Sequence, residues 1–351
     1  MPDSSGRQAA ITAVEYHLPR DVLTNEDISR DHPEWSIESI YEKTGIHTRH
    51  IARADETAGD LACEAAVKLF SAGVCDREEI DLLVLCTQSP DYALPTTACL
   101  LQDRLGLPTA CAAFDVNLGC SGYVYGLSII KGLLESGQCS KALFLTAETY
   151  SKWIDPADKG VRTVFGDGAS ATLVELVDSP QGREFLGPFV FGTDGSGRER
   201  LIVHGSGARP ITDDEIAHLP GEHAPDTLFM DGPEIFSFTI RSVPRALKSL
   251  LAKAETSLDE LDLVVYHQAN LYMLEYLRKR SKIPSEKFAV HLENVGNTVS
   301  STIPIALKKA CECGSLKTDM DVALVGFGVG YSWAAGTIVW KADQPDRLPE
   351  Y

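Results

Sequence analysis

Short, fully apolar runs alternate with helical periodicity along most of this chain. Ala10–Tyr16 reads as a strand, and Ile80–Cys86 (IDLLVLC) as a fully buried one. Ala112–Val116 and Ala142–Ala147 are further strands, and the pattern between them predicts a helix from about Ser121 to Ser136. In the second half, Leu261–His267 (LDLVVYH) predicts a strand and Leu271–Lys282 a helix after it. Asp321–Gly326 and Gly336–Trp340 predict the closing strands. A strand that is apolar throughout must be covered on both faces, so these runs and the helices between them imply α/β layers.

The pattern also repeats. Glu79–Cys86 (EIDLLVLC) matches Glu260–His267 (ELDLVVYH) 181 residues on, and Ala142-Leu143 falls on Ala323-Leu324 at the same offset. Two matches at one offset, close to half the chain, point to an internal duplication. Between the halves, Gly192–Gly232 is rich in Gly, Pro, His and Asp with weak periodicity. It predicts a long surface loop of the kind that often carries function.

Charge narrows the partners. The 351 residues carry 32 Lys+Arg against 50 Asp+Glu, a formal net charge of −18. Nucleic acid and anionic membranes would be repelled at long range, so neither is expected as the main partner. No run approaches the ~20 apolar residues of a membrane span. Met1–Arg7 has no apolar stretch behind its single Arg, so no signal peptide is expected and the location should be cytoplasmic. The nine cysteines are odd in number and include no CxxC, and Cys311-Glu312-Cys313 has an unusual spacing for zinc, so no metal site is expected. Most lie among Ala, Leu and Val, where a thiol behaves as a small buried hydrophobe.

Cys120 stands apart. In FDVNLGCSGYVYGLSIIKGLLESG a strand ends at Val116, a Gly-containing turn holds the cysteine, and an amphipathic helix begins at once. A sulfur at a helix N-terminus meets unpaired N–H groups and the positive end of the macrodipole. The thiol pKa is therefore expected to fall from about 8.5. Gly119 and Gly122 would permit the sharp turn and close approach of a substrate. A buried thiol whose glycines serve only packing is equally compatible with this local pattern. His267, ending a buried strand, reads either as a cleft residue or as a core histidine. Asn297, in the turn Asn294–Thr298, reads either as a hydrogen-bond donor or as a turn residue held for φ > 0. Together the three supply a thiol nucleophile and two donors for a carbonyl oxygen.

GCSG at Cys120, HQAN at His267, NVGNTVSS at Asn297 and GFGVGYSWAAG at 326–336 resemble the β-ketoacyl-acyl-carrier-protein synthase III family of the thiolase superfamily. EKTGIHTRHIA (42–52), ALPTTA (93–98), DPADKG (155–160) and FGDGAS (165–170) follow in the family's order, so the resemblance spans nearly the whole chain. It implies a thiolase-like, five-layered αβαβα fold from two duplicated halves, 1–178 with the nucleophile and 179–351 with His and Asn. It implies acylation of Cys120 by a thioester and decarboxylative condensation with a malonyl-type carrier-protein thioester, with His267 and Asn297 donating to the developing enolate. The backbone N–H groups of Cys120 and Val329 would form a second oxyanion hole, although the family carries glycine at the latter position. Leu94 and Phe327 would bound the acyl pocket, Leu94 from across a homodimer interface. No bound cofactor is implied; acyl-CoA or acyl-carrier-protein thioesters would be substrates.

The sequence also departs from the family. Thiolases carry a second catalytic cysteine in the C-terminal loop, which GFGVGYSW lacks. A type III polyketide synthase-like enzyme, or an acyltransferase that passes the acyl group on without condensation, remains the alternative. Acetyl-CoA-primed members use Trp before TGI, Arg in DPxDRG and Asn before EIF; here Ser39, Lys159 and Pro233 stand there, with Trp35 displaced by four residues. Lys does not replace a stacking Arg. These changes favour a carrier-bound acyl chain or an unusual starter. Arg278, Lys279 and Arg280 would dock the acidic carrier protein, with Tyr272 replacing the family's Arg in HQANLR.

Overall fold

The computed structural model describes residues 6–179, 182–217, 219 and 224–342; Met1–Ser5, on which most of the N-terminal reading falls, lie outside them. One sheet holds β1 (Arg7–His17), β2 (Leu82–Cys86), β3 (Ala112–Val116), β4 (Lys141–Glu148) and β5 (Gly168–Asp178), in the order β1-β5-β4-β2-β3. β2 runs parallel to β3 and β4, and the other pairings are antiparallel. The second sheet holds β6 (Leu186–Thr193), β7 (Leu263–Tyr266), β8 (Asp321–Gly328) and β9 (Ser332–Val339). Its order β6-β9-β8-β7 repeats β1-β5-β4-β2, with β7 parallel to β8. A single parallel bridge between Val264 and Phe288 stands where β3 stands in the first sheet.

Side-chain alternation along the buried strands builds the layers. Leu82, Val84 and Cys86 point to a central core shared with helices α3 (Gly122–Glu135) and α6 (Thr302–Glu312), and Leu263 and Val265 reach it from the second sheet. Leu83 and Leu85 point the other way, onto α1 (Ala58–Ser71) and α2 (Thr97–Arg104). Val264 and Tyr266 face α4 (Gly232–Lys253) and α5 (Leu271–Arg280). Helices, sheet, helix pair, sheet and helices follow in that order. The central helices sit in matching places as well, since α3 and α6 each follow the loop that carries candidate chemistry.

Two expectations change. Gly192–Gly232 is not all loop: Leu201–Val203 pairs antiparallel with Leu228–Met230, and Asp213–Ala217 is helical. Three-residue strands are too short to print a period of two. Residues 218 and 220–223 of that stretch lie outside the described residues. None of the nine cysteines is in a disulfide; only Cys86, Cys111, Cys120 and Cys311 are buried, while Cys99 and Cys313 are exposed. Among the described residues no helix is long and apolar enough to cross a membrane.

Candidate active site

The turn after β3 delivers Cys120 to the start of α3, with Ser121 in the N-cap position. Two glycines of β8 press against it. A Cβ on Gly328 would lie 2.9 Å from both Cβ and Sγ of Cys120, and one on Gly326 would lie 2.7 Å from the Cys120 carbonyl oxygen. Ser121 Oγ and Ser332 Oγ, 2.8 Å apart, tie the same turn to β9. The nucleophile candidate is thus clamped between the two sheets and only 5% exposed.

His267 follows β7, and its backbone N–H donates to Val325 O at 2.9 Å, extending the β7–β8 ladder by one residue. Its ring meets Phe327 edge-on with centroids 5.3 Å apart, and Nδ1 lies 2.7 Å from Thr302 Oγ1. Burial without an anionic neighbour pushes its pKa down to about 3, so the imidazole is neutral at physiological pH. Asn297 forms a parallel bridge with Phe165, and its N–H donates to Val164 O at 2.9 Å. Its Oδ1 accepts the Val299 N–H at 2.9 Å, so the amide nitrogen is left to donate elsewhere. The left-handed conformations of this turn fall on Gly296 and Val299, at φ 78° and 55°, and not on Asn297. Asn297 is therefore not held there for φ > 0, although its Oδ1 bond to Val299 N–H is an Asx-turn contact.

Cys120, His267, Asn297, Phe327 and Gly328 line one cavity of about 170 Å³, walled by apolar groups such as Phe165, Leu201 and Ile235. The short ribbon thus contributes Leu201 and Met230 to this wall. Such a mostly apolar chamber suits an aliphatic chain. It also overturns the expected acidity of Cys120. Burial, with the nearby Glu148 carboxyl second, raises the thiol pKa well above its usual value. The first α3 amide, Gly122 N–H, already bonds Gly119 O at 2.8 Å, so the helix terminus offers less than the sequence suggested.

The other candidates are less concentrated. Val329 is half-buried beside Cys120 and Val299, outside the left-handed region that would require glycine. Leu94 is 83% exposed and lies outside the cavity of its own chain. Arg278 is not a free cation: Glu275 accepts from it at 3.0 and 2.8 Å, and Ile283 O at 3.1 Å. Arg280 Nε donates to Ile240 O, and Lys279, exposed, has its Nζ 3.9 Å from Glu275. Lys159 pairs with Glu34, next to Trp35, which instead lies under Lys43 Nζ at 4.9 Å. Tyr272, exposed at the cavity rim, packs on Phe236.

Two residues escaped the sequence reading. Glu148 is fully buried at the end of β4, accepting from Gln88 N, Ser89 Oγ and Ser300 Oγ. A lone carboxylate closing the apolar run ALFLTAE was its signal. Thr302, at the start of α6, was hidden in the hydroxyl-rich run TVSST.

Comparison with known proteins bears on all of this. Residues 114–195 match the family model described as 3-oxoacyl-[acyl-carrier-protein (ACP)] synthase III, and residues 251–340 match the model of its C terminal. A β-ketoacyl-[acyl-carrier-protein] synthase III of Caldanaerobacter subterraneus subsp. tengcongensis is 35% identical over 95% of this chain and 98% of its own. A crystal structure of a 3-oxoacyl-(acyl-carrier-protein) synthase III is 50% identical, with a TM-score of 0.91 over 95% of this chain and all of that one. The corresponding synthase from Burkholderia xenovorans LB400 is 33% identical, with a TM-score of 0.88 over 96% of each chain. The expected thiolase-like fold is the one these structures share.

Proposed function

The chain belongs to the β-ketoacyl-acyl-carrier-protein synthase III family and is an acyl-transferring condensing enzyme; on that premise we propose that Cys120, His267 and Asn297 are its catalytic residues. The observation that carries this reading is that one mostly apolar cavity holds the thiol, a neutral imidazole and an amide whose oxygen is already engaged.

Cys120 Sγ attacks the carbonyl carbon of an acyl thioester as its proton passes to the departing thiol, and an acyl-cysteine remains. A malonyl-type thioester then loses CO2; the electron pair of the broken C–C bond stays on the α-carbon as an enolate. His267 N–H and Asn297 Nδ2 donate to the thioester oxygen where that charge gathers. Both donors are fixed before the charge appears, so stabilisation needs no reorganisation. A neutral imidazole is suited to donation of this kind. The enolate carbon attacks the acyl-cysteine, and Cys120 leaves and is reprotonated. Backbone N–H groups of Cys120 and Val329 receive the oxyanion of the acyl carbonyl.

The acyl donor is carrier-bound or an unusual starter. Lys159 is occupied by Glu34, Trp35 by Lys43, and Ser39 and Pro233 offer no aromatic face, so little is built here to hold an adenine. The acidic carrier protein docks near Lys279. The enzyme works in the cytoplasm as a homodimer of duplicated halves, 1–178 and 179–351, in which Leu94 closes the partner's acyl pocket; its exposure in a single chain supports that role. Mass spectrometry of the Asn297→Ala variant, offered acetyl-CoA and acyl-carrier protein in turn, tests the donor. Trapped acyl on Cys120 from carrier protein is expected; fast loading by acetyl-CoA would refute the donor assignment. CO2 release from malonyl-carrier protein separates condensation from simple acyl transfer.

A further inference from the structure

The role given to His267 requires a hydrogen on the nitrogen that faces the cavity. A neutral imidazole carries only one, so something must decide which nitrogen holds it. Nδ1 is the nitrogen engaged by Thr302, which leaves Nε2 for the cavity. Both side chains are 2% exposed, and water has little access to either.

Thr302 Oγ1 has a single proton and two acceptors in reach: His267 Nδ1 at 2.7 Å and Val299 O at 3.0 Å. The two choices give opposite imidazoles. If the hydroxyl donates to Val299 O, Oγ1 must accept from Nδ1–H, and Nε2 shows the cavity a lone pair. If it donates to Nδ1, Nε2 carries the hydrogen. Val299 O already accepts the backbone N–H of Thr302 itself, so it does not depend on the hydroxyl. The shorter contact is the one to the ring. A lone pair at Nε2 would repel the enolate oxygen that His267 is there to stabilise.

We propose that Thr302 is a positioning residue that donates its hydroxyl to His267 Nδ1 and so holds the imidazole as the Nε2–H tautomer facing the cavity. The position of Thr302 makes this effective. It opens α6, the helix after the Asn297 turn, so one short segment places both donors: Asn297 directly, and His267 through Thr302. The inference rests on the catalytic reading above, but its decisive measurement does not require turnover.

The test uses the full-length enzyme with 15N-labelled histidine, and His267 is assigned by difference against His267→Ala. In the resting enzyme the nitrogen shifts of His267 should show a protonated Nε2. Thr302→Val keeps the shape and removes the hydroxyl that selects between the two forms, and should move the His267 shifts toward a mixture of the tautomers. Thr302→Ser should restore the wild-type pattern. In parallel, CO2 release from malonyl-carrier protein should fall about tenfold or more in kcat for Thr302→Val, with KM little changed, and recover in Thr302→Ser. A resting His267 protonated on Nδ1 would overturn the assignment. So would a Thr302→Val enzyme with the wild-type tautomer. Because the spectrum is read without catalysis, the tautomer result stands apart from whether the cavity performs condensation at all.

Discussion

Glu148→Gln isolates a buried acid that lies behind the proposed nucleophile. The carboxyl has no exposed surface, and its neighbours are Gln88 N at 3.1 and 3.2 Å, Ser89 Oγ at 3.1 Å and Ser300 Oγ at 2.8 Å, with no cation paired to it among the described residues. Hydrogen bonds favour the carboxylate, but burial outweighs them and pushes the pKa up to about 8 from an ordinary 4.5. Between those values the folded protein holds a proton that the unfolded chain has released. Stability drawn from Glu148 is therefore complete below about pH 4.5, declines through the interval, and is flat above about pH 8. At ~1.4 kcal/mol per pH unit the full swing is about 5 kcal/mol. Glutamine has the same shape and does not titrate, so subtracting variant from wild type cancels the other groups. Urea unfolding at pH 5, 7 and 9, at fixed protein concentration, should show the variant gaining on the wild type between pH 5 and 7 and by less between pH 7 and 9. A difference that stays constant across that range would refute the reasoning. The coupling extends to function: ionised Glu148 helps raise the Cys120 pKa, so the variant should be alkylated faster at Cys120 at pH 9.

Four further outcomes follow from the geometry. Asn297→Ala should accept an acyl group on Cys120 yet release CO2 from malonyl-carrier protein 10²–10³-fold more slowly, about 3–4 kcal/mol; an equal loss in both half-reactions would remove Asn297 from the donor role. Gly328→Ala places a methyl 2.9 Å from Cys120 Sγ and Cβ, and should block acylation, read by intact mass, while circular dichroism stays that of the wild type. Gly126→Ala drives a methyl to 2.2 Å from the Phe144 ring at the centre of the core and should lower stability by ~1–3 kcal/mol in urea. Lys279→Glu should slow turnover of carrier-bound substrate more than that of a CoA thioester; equal effects would move the dock elsewhere.

What could be read from the sequence depended on whether a residue's role was local. Cys120 and His267 each follow a strand and Asn297 lies in the turn before α6, and the resemblance of these three short motifs to one family made their grouping legible. The β2 and β7 runs were plain because strands covered on both faces leave no polar interruption. The ionisation of Cys120 was misread because a pKa depends on surroundings that arrive from distant segments: β8 glycines, Phe165, Leu201 and Glu148 close over the sulfur. The share of the basic run 278–280 left free was hidden for the same reason, since Glu275 one helical turn away takes up Arg278. Thr302 shows the limit most clearly. Its partner lies 35 residues earlier, and only the meeting of α6 with the end of β7 turns an ordinary helix-start threonine into a contact with the imidazole. In this fold the proposed nucleophile and donors are written in local motifs. The groups that set their protonation come from layer packing, and there a structure adds what a sequence cannot carry.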